Sequence, residues 1–251
     1  MKRRKFKLIL LSAFLVLSSY LNISAHETFL SEEDFYELDV DQFSYIFDPF
    51  EPVNRFTFNL NEIAYRNVIQ PFADAYKVFT PDPIQKGANN FFYNLNYPVR
   101  LSSNLIQRRF RSMWVETVRF AINSTIGIVG ITCPADKIDN FTPLKAEDIG
   151  QAIGSLGISE GPYLVLPLLG PSNLRDLGGL ISGRVINPVK EPSSLINGWA
   201  WECRLTLSTF DFVNSSSEFL LKYNQLKEGA IDPYSSLKNG YTQYRRAAIA
   251  D

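Results

Sequence analysis

The segment Gly157-Ile158-Ser159-Glu160-Gly161 has the spacing G-x-S-x-G. In α/β-hydrolases that spacing presents a nucleophilic serine on a sharp turn between a strand and a helix. The chemistry needs a base to take the serine proton, normally a histidine later in the chain. This chain has one histidine, His26, far upstream. Pro162 and Tyr163 suit a regular first helical turn poorly, and no spacing sets a lysine beside Ser159 for a Ser–Lys pair. The sequence thus assigns no catalytic residue, and the expectation is a protein that is not an enzyme. Cys133 and Cys203 are the two cysteines. They lack C-x-x-C spacing and a neighbouring histidine, so no zinc site is expected; whether they pair depends on a Cα separation that sequence does not show. Glu32-Glu33-Asp34 and Asp39-Val40-Asp41 offer carboxylates to calcium. Without the glycine turn of an EF-hand loop they read as a solvated acidic linker, and no metal or cofactor is expected.

Beyond Ser159 the chain turns apolar. Tyr163 to Leu169 is almost wholly hydrophobic, yet Pro162, Pro167, Gly170 and Pro171 break it into pieces. It is too short to cross a bilayer as a helix, which takes about 20 residues. Pro167 removes a ladder donor, so a buried central strand is a poor reading. The run leads into a polar helix start, Ser172-Asn173-Leu174-Arg175-Asp176. A greasy, kinked segment of this kind either packs as a core loop, which composition alone favours, or lines an apolar opening. Arg175 and Asp176 are expected chiefly as an ion pair at that helix start.

The amino terminus sets the compartment. Lys2, Arg3, Arg4, Lys5 and Lys7 form a basic region, Leu8 to Leu17 an apolar one, and Ile23-Ser24-Ala25 a cleavage site before His26. This is the pattern of a secretory signal over residues 1–25. Its removal takes five of 25 basic residues and none of the 26 acidic ones, leaving 20 against 26 and a formal charge of −6. That balance argues against nucleic acid, whose binding rests on phosphate neutralisation, and against simple electrostatic docking on an anionic membrane. Membrane contact should be chiefly hydrophobic, and 19 phenylalanines supply the material.

The elements that position these residues read as helices. Residues 26–47 read as an acidic linker or a short amphipathic arm. Asp48-Pro49-Phe50-Glu51 has the form of a capped helix start, with Asp48 as N-cap. Val53, Phe56, Leu60 and Ile63 then make one apolar stripe, while Phe50 and Phe58 fall off it and are free to meet lipid or another helix; Pro71 limits the element. Further helices are expected from Thr80-Pro81-Asp82-Pro83, from Pro98 to Arg109, and over 112–126. The last sets Trp114, Val118, Ala121, Ile122 and Thr125 on one face and Glu116, Arg119 and Asn123 on the other. The final third reads as helices over 197–212, 215–227 and 233–248. The fold class is mainly α, one domain over 48–248.

Five segments then accumulate into a resemblance. Asp48-Pro49-Phe50-Glu51-Pro52-Val53-Asn54-Arg55 is similar to the D-P-[FWL]-E-x-x-N-R opening of the MlaA or VacJ family of outer-membrane phospholipid-removal lipoproteins. Phe91 to Leu95 with Pro98, and Arg119 to Gly127, resemble that family's N-F-x-x-N-L-x-x-P and R-F-x-x-N-[ST]-x-x-G segments. Gly150 to Gly154, then Gly161-Pro162-Tyr163 through Arg175-Asp176, resemble its glycine- and proline-rich run, and Asp232-Pro233-Tyr234 with Tyr241 and Arg245 its late helix. The segments keep their order over nearly the whole chain after the signal.

The resemblance implies a helical, disc-like domain in the periplasmic leaflet of the outer membrane, held by a trimeric porin. It implies an amphipathic central channel through which misplaced outer-leaflet phospholipid passes to a soluble periplasmic lipid carrier. On this chain the lipid path would include Gly154, Gly157, Gly161, Pro162, Tyr163, Pro167, Gly170, Arg175 and Asp176, and membrane or porin contact would involve Phe50, Phe56 and Phe58. The other reading is a porin-binding adaptor of the envelope that moves no lipid. Two positions depart from the family pattern: Gly157-Ile158-Ser159 stands where G-V-G is usual, and His26 where many relatives carry a lipidated cysteine. A bulky residue at Gly161 is expected to impair the path more than the fold, and one at Gly240 to cost some stability at most.

Overall fold

Prolines punctuate this chain and explain most of its helix boundaries, because a proline is tolerated in a first turn whose N–H groups lack intrahelical partners. The computed structural model describes residues 46–188 and 201–250. The signal segment, His26, the acidic cluster at 32–41 and the start of the helix expected at 197 lie outside the described residues. Helices α1 (Glu51–Ala64), α2 (Gln70–Phe79), α3 (Asp82–Leu95), α4 (Tyr97–Ile106) and α9 (Pro233–Ala250) each carry a proline at or beside their first residues. Helices α5 (Phe110–Thr125), α6 (Ile149–Ser155), α7 (Leu174–Ile186) and α8 (Trp201–Lys227) complete the helical set among these residues. The fold is mainly helical, as the periodicity predicts.

Several boundaries differ from expectation, each for a visible reason. Pro71 does not end the first helix. A π turn at Tyr65–Ile69 joins α1 to α2, and Gln70 N–H reaches back to Tyr65 O, so the chain passes the proline with its backbone bonded. Asp48 is not the N-cap; Phe50 holds that position without a side-chain bond. Asp48 instead accepts from Asn54 Nδ2 at 2.8 Å, Tyr234 Oη at 2.6 Å and Lys238 Nζ at 2.9 Å, tying α1 to α9. Ser215-Ser216-Ser217 does not start a helix but lies inside α8. Ser215 Oγ bonds to Asp211 O and Ser216 Oγ to Val213 O, while Ser217 Oγ meets Ala73 O, so three buried small residues let α2 pack close.

The apolar run is a strand after all. β1 (Tyr163–Leu166) pairs antiparallel with β2 (Gly170–Asn173) in a two-stranded hairpin, with Val165 opposite Pro171. Pro167 sits just past β1 in the turn, where no ladder donor is required, and a two-stranded hairpin has free edges that accommodate Pro171. The free edge of β1 is covered by side chains of α1. Asn54 accepts from Val165 N–H at 2.9 Å and donates to Tyr163 O at 3.0 Å. Asn61, two turns on, accepts from Leu168 N–H at 2.7 Å and donates to Leu166 O at 2.9 Å. Each amide replaces a residue of a missing third strand. Tyr65 Oη adds a bond to Leu168 O, so Leu168, at φ +63°, is held from both sides in a conformation that non-glycine residues rarely adopt. Below the hairpin, an aromatic core joins Phe58, Tyr65, Tyr163, Phe219, Tyr223, Tyr234 and Tyr241.

A second polar hub fixes α6, α7 and α9. Arg245 on α9 is 2% exposed. It donates to Asp148 at 2.5 and 3.1 Å and to Asp176 at 2.8 and 3.0 Å. Asp148 caps α6 in a capping box with Gln151, and Asp176 lies in the first turn of α7, where Asn173 caps. The helices can converge because Gly150 and Gly179 meet backbone to backbone: a Cβ on Gly179 would stand 2.3 Å from Gly150 N. Asp176 further accepts from Tyr241 Oη, Asn173 Nδ2 and Arg175 Nε. Burial acts to raise its pKa, but Arg245 and Arg175 outweigh it and hold the carboxyl below its ordinary 3.8.

Two outcomes follow. Asn61→Leu orphans Leu168 N–H and leaves Leu166 O only the longer bond from Leu169 N–H at 3.3 Å; an unpaired donor costs roughly 1–3 kcal/mol, so the thermal midpoint should fall well below that of Asn59→Leu on the exposed side of the same helix. An equal shift in both would contradict the edge-covering role. Since the folded pKa of Asp176 lies below its unfolded value, its stabilisation is complete above about pH 4 and lost as pH falls through the folded pKa. Thermal midpoints scanned from neutral pH into acid should fall less steeply for Asp176→Asn than for the wild type.

Candidate functional site

The hairpin, α4, α6, α7 and α9 enclose a narrow cleft whose walls and floor differ in polarity. Leu166, Leu169, Pro171, Leu180 and Val99 form apolar walls, and Asp148, Asp176 and Arg245 form the floor, with Tyr241 beside them. The free volume is about 30 Å³, room for about one water, so an acyl chain enters only if the walls part. The charged floor is paired and satisfied, which leaves it polar without a loose charge.

The residues expected along a lipid path are only partly brought together. Asp176 lines the cleft directly, and Arg175 lies against Asp176 at 3.0 Å with its side chain 5% exposed, the expected helix-start ion pair. Gly154 is buried on α6 next to Arg175 and Ile249. Tyr163 is buried in the aromatic core, where burial pushes its hydroxyl pKa up, and Gly170 is buried beside Tyr65. Pro162 is half-buried at the start of β1. Gly157 and Pro167 are exposed, in the α6–β1 loop and the hairpin turn.

Gly161 has φ +69° and a Cβ there would stand 3.2 Å from Leu174 Cβ. A side chain at Gly161 therefore strains the backbone and presses on α7, disturbing the fold as well as any path. Gly240 is a poorer control than expected, since its Cβ would lie 2.7 Å from Leu226 Cδ2 across the α8–α9 contact.

Sequence reasoning gave no role to Asp148, Leu180 or Arg245. Asp148-x-x-Gln151 was a readable capping box before a glycine-rich helix. Tyr241 and Arg245, four apart on α9, were noticed only as part of a motif. Ser159 lies in an exposed loop running from helix to strand, the reverse of a nucleophile elbow. Cys133 is half-buried and Cys203 exposed; both are free thiols.

The outer surface is as distinctive as the cleft. On α1 the stripe Val53, Phe56, Leu60 and Ile63 faces outward, with Phe56 69% exposed, while Asn54, Thr57 and Asn61 face inward. On α5, Trp114 is 64% exposed, whereas Glu116, Arg119 and Asn123 are buried. There Glu116 meets Arg100 at 3.0 Å and Tyr93 Oη at 3.0 Å, and Arg119 meets Asp136 at 2.7 Å and Phe141 O at 2.6 Å. Helix α4 repeats the arrangement, with Arg100, Ser103 and Asn104 buried and Leu105 out. Of the three residues expected at a membrane or porin contact, Phe50 and Phe56 are exposed. Phe58 is not: at 7% exposure it packs edge-on to Tyr234 inside the core.

Beside α1 runs a wider groove of about 420 Å³ lined by Arg55, Phe58, Glu62, Lys227, Asp232 and Tyr234. Its cations are paired, Arg55 with Asp232 and Lys227 with Glu62, both at 2.7 Å.

Comparison with known proteins agrees with this arrangement. An uncharacterized protein of Rickettsia prowazekii (strain Madrid E) is 32% identical over 207 residues, spanning 81% of this chain and 78% of the relative. The protein called intermembrane phospholipid transport system lipoprotein MlaA is 26% identical in Escherichia coli (strain K12), over 78% of this chain and 76% of the relative. Its namesake in Haemophilus influenzae is 27% identical over 85% and 83%. A solved structure described as "Structural basis for maintenance of bacterial outer membrane lipid asymmetry" shares the fold, with a TM-score of 0.66 at 23% identity, covering 80% of this chain and 98% of that one. The MlaA lipoprotein family model matches residues 46–248. A chain matched by this family's model over residues 46–248 belongs to the MlaA lipoprotein family.

Proposed function

We propose that this protein is a non-enzymatic component of phospholipid transport at the outer membrane, removing phospholipid misplaced in the outer leaflet and passing it to a soluble periplasmic carrier. Relatives named for intermembrane phospholipid transport support the class of activity. The observation that carries the reading to this chain is reversed helix polarity: amides and ion pairs of α1, α4 and α5 point inward, while Val53, Phe56, Leu60, Ile63, Leu105 and Trp114 point outward. Monomers in water rarely expose contiguous apolar faces larger than a few hundred Å². Against acyl chains they cost nothing. Among the described residues no helix is long and apolar enough to cross a membrane, which suits a disc lying within one leaflet, where a trimeric porin would hold it.

The cleft supplies the rest. Two acyl chains of ~16 carbons brought into water would cost on the order of 25 kcal/mol at about 0.8 kcal/mol per CH₂, and a headgroup drawn through hydrocarbon loses its hydration. Apolar walls beside a paired ionic floor reduce both penalties, and no bond is made or broken. With the processing expected after Ala25, the first cysteine of this sequence is Cys133, so the outward apolar faces do the anchoring that an acylated cysteine performs elsewhere.

Leu180→Trp tests the path. It fills the cleft from α7 and leaves every residue of the ionic floor in place. Cells carrying it should show several-fold more surface-exposed phospholipid at unchanged envelope abundance, while Gly178→Ala, at a glycine with open space around it, should match wild type. Normal clearance with the tryptophan in place would remove the cleft from the mechanism.

A further inference from the structure

The turn between α4 and α5 gathers two unpaired cations among exposed apolar rings. Leu105 in the last turn of α4, Phe110 at the start of α5 and Trp114 one turn later are 55%, 61% and 64% exposed. Arg108 and Arg111 are exposed beside them. Neither enters an ion pair among the described residues, whereas Arg109 between them meets Glu147 at 2.7 Å and Gln107 satisfies the other oxygen of that carboxylate at 2.8 Å. The turn is fixed rather than loose. Arg108 sits at φ +59°, its N–H bonds to Leu105 O at 3.1 Å, and Arg109 N–H bonds to Asn104 O at 2.9 Å.

The other end of α5 is built differently. Ile126, Ile128, Val129 and Ile131 form an exposed tip that carries no charge. Ile128, Val129 and Gly130 follow one another at φ +54°, +57° and +91°, a conformation that β-branched residues adopt only when their surroundings impose it. Here Val129 N–H bonds to Ser124 O, Gly130 N–H to Asn123 O, and Asn90 Nδ2 on α3 to Ile131 O. The outward face of α5 thus runs from cations and a tryptophan at one end, past Val118 and Ala121, to a rigid aliphatic tip at the other.

We propose that the α4–α5 turn is a binding site for the phosphate of an anionic phospholipid at the membrane surface. Arg108 and Arg111 meet the phosphate, Leu105, Phe110 and Trp114 lie among the upper acyl carbons, and the tip at 126–131 reaches deeper hydrocarbon. Arginine stems lie along apolar surface while their heads stay polar, and tryptophan favours the same depth. The chain's overall acidity conceals this local complementarity. The proposal rests on the membrane-embedded reading above but concerns orientation and lipid preference, not transport.

The test uses the full processed chain transferred from detergent to vesicles of phosphatidylcholine, with or without phosphatidylglycerol. Wild type should favour the anionic vesicles about tenfold over Arg108→Gln/Arg111→Gln, with equal binding of both proteins to neutral vesicles. Depth is read by brominated lipids. In a Trp199→Phe/Trp201→Phe chain, Trp114 should be quenched best by bromines near the headgroup. With Trp114→Phe and Val129→Trp added, bromines near the chain ends should quench best. An anionic preference that survives loss of both arginines, or the reverse order of depth, overturns the proposal. A Trp114 shielded from all brominated lipid overturns it in favour of a protein partner on this turn. Wild type that binds neither vesicle would overturn the membrane reading as well.

Discussion

One guanidinium between two carboxylates holds three helices in place. Asp148 and Asp176 stand at the N-terminal turns of α6 and α7, where each helix favours negative charge, and Gly150 and Gly179 let those turns approach until both carboxylates reach Arg245. Removing the arginine would take from Asp148 its ion pair and leave Asp176 with Arg175 alone, a loss of up to about 3–5 kcal/mol by comparison with other buried pairs. The same atoms form the floor of the cleft. Positioning the helices and lining the polar side of the cleft are therefore one arrangement, and the family's fold and the proposed activity share a single constraint.

The asparagine edge on α1 follows the same logic. A helix that presents Asn54 and Asn61 to a strand edge must turn its apolar stripe away from the protein. Helices α4 and α5 do likewise, burying Arg100, Glu116, Arg119 and Asn123 in hydrogen-bonded networks. Polar groups inside are stable because they are paired with one another. Apolar groups outside gain most where the surroundings are apolar too.

That inversion also explains what the sequence revealed and what it hid. Helix positions were legible, since prolines mark the starts of α1 to α4 and α9 and the 3.6-residue period survives inversion. Which face is buried was not, because a period has no sign: Val53-Phe56-Leu60-Ile63 and Trp114-Val118 give the same moment pointing inward or outward. Phe58 looked like a contact residue for that reason. The hairpin was misjudged because Pro167 was read as a strand residue when it belongs to the turn, and the amides that cover β1 come from about 110 residues upstream. The cleft floor escaped because Arg245 lies 97 residues from Asp148 and 69 from Asp176, and no local pattern links them.

The most direct measurement places a photoactivatable side chain at Leu180 in the cleft and, separately, at Phe56 on the outer face. Both are irradiated in intact envelopes and read by mass. The account predicts phospholipid adducts from both positions, with the Leu180 adduct lost when Leu169→Trp narrows the opposite wall and the Phe56 adduct unchanged. Adducts at Phe56 alone would mean that lipid surrounds this protein without passing through it, and would contradict the central claim.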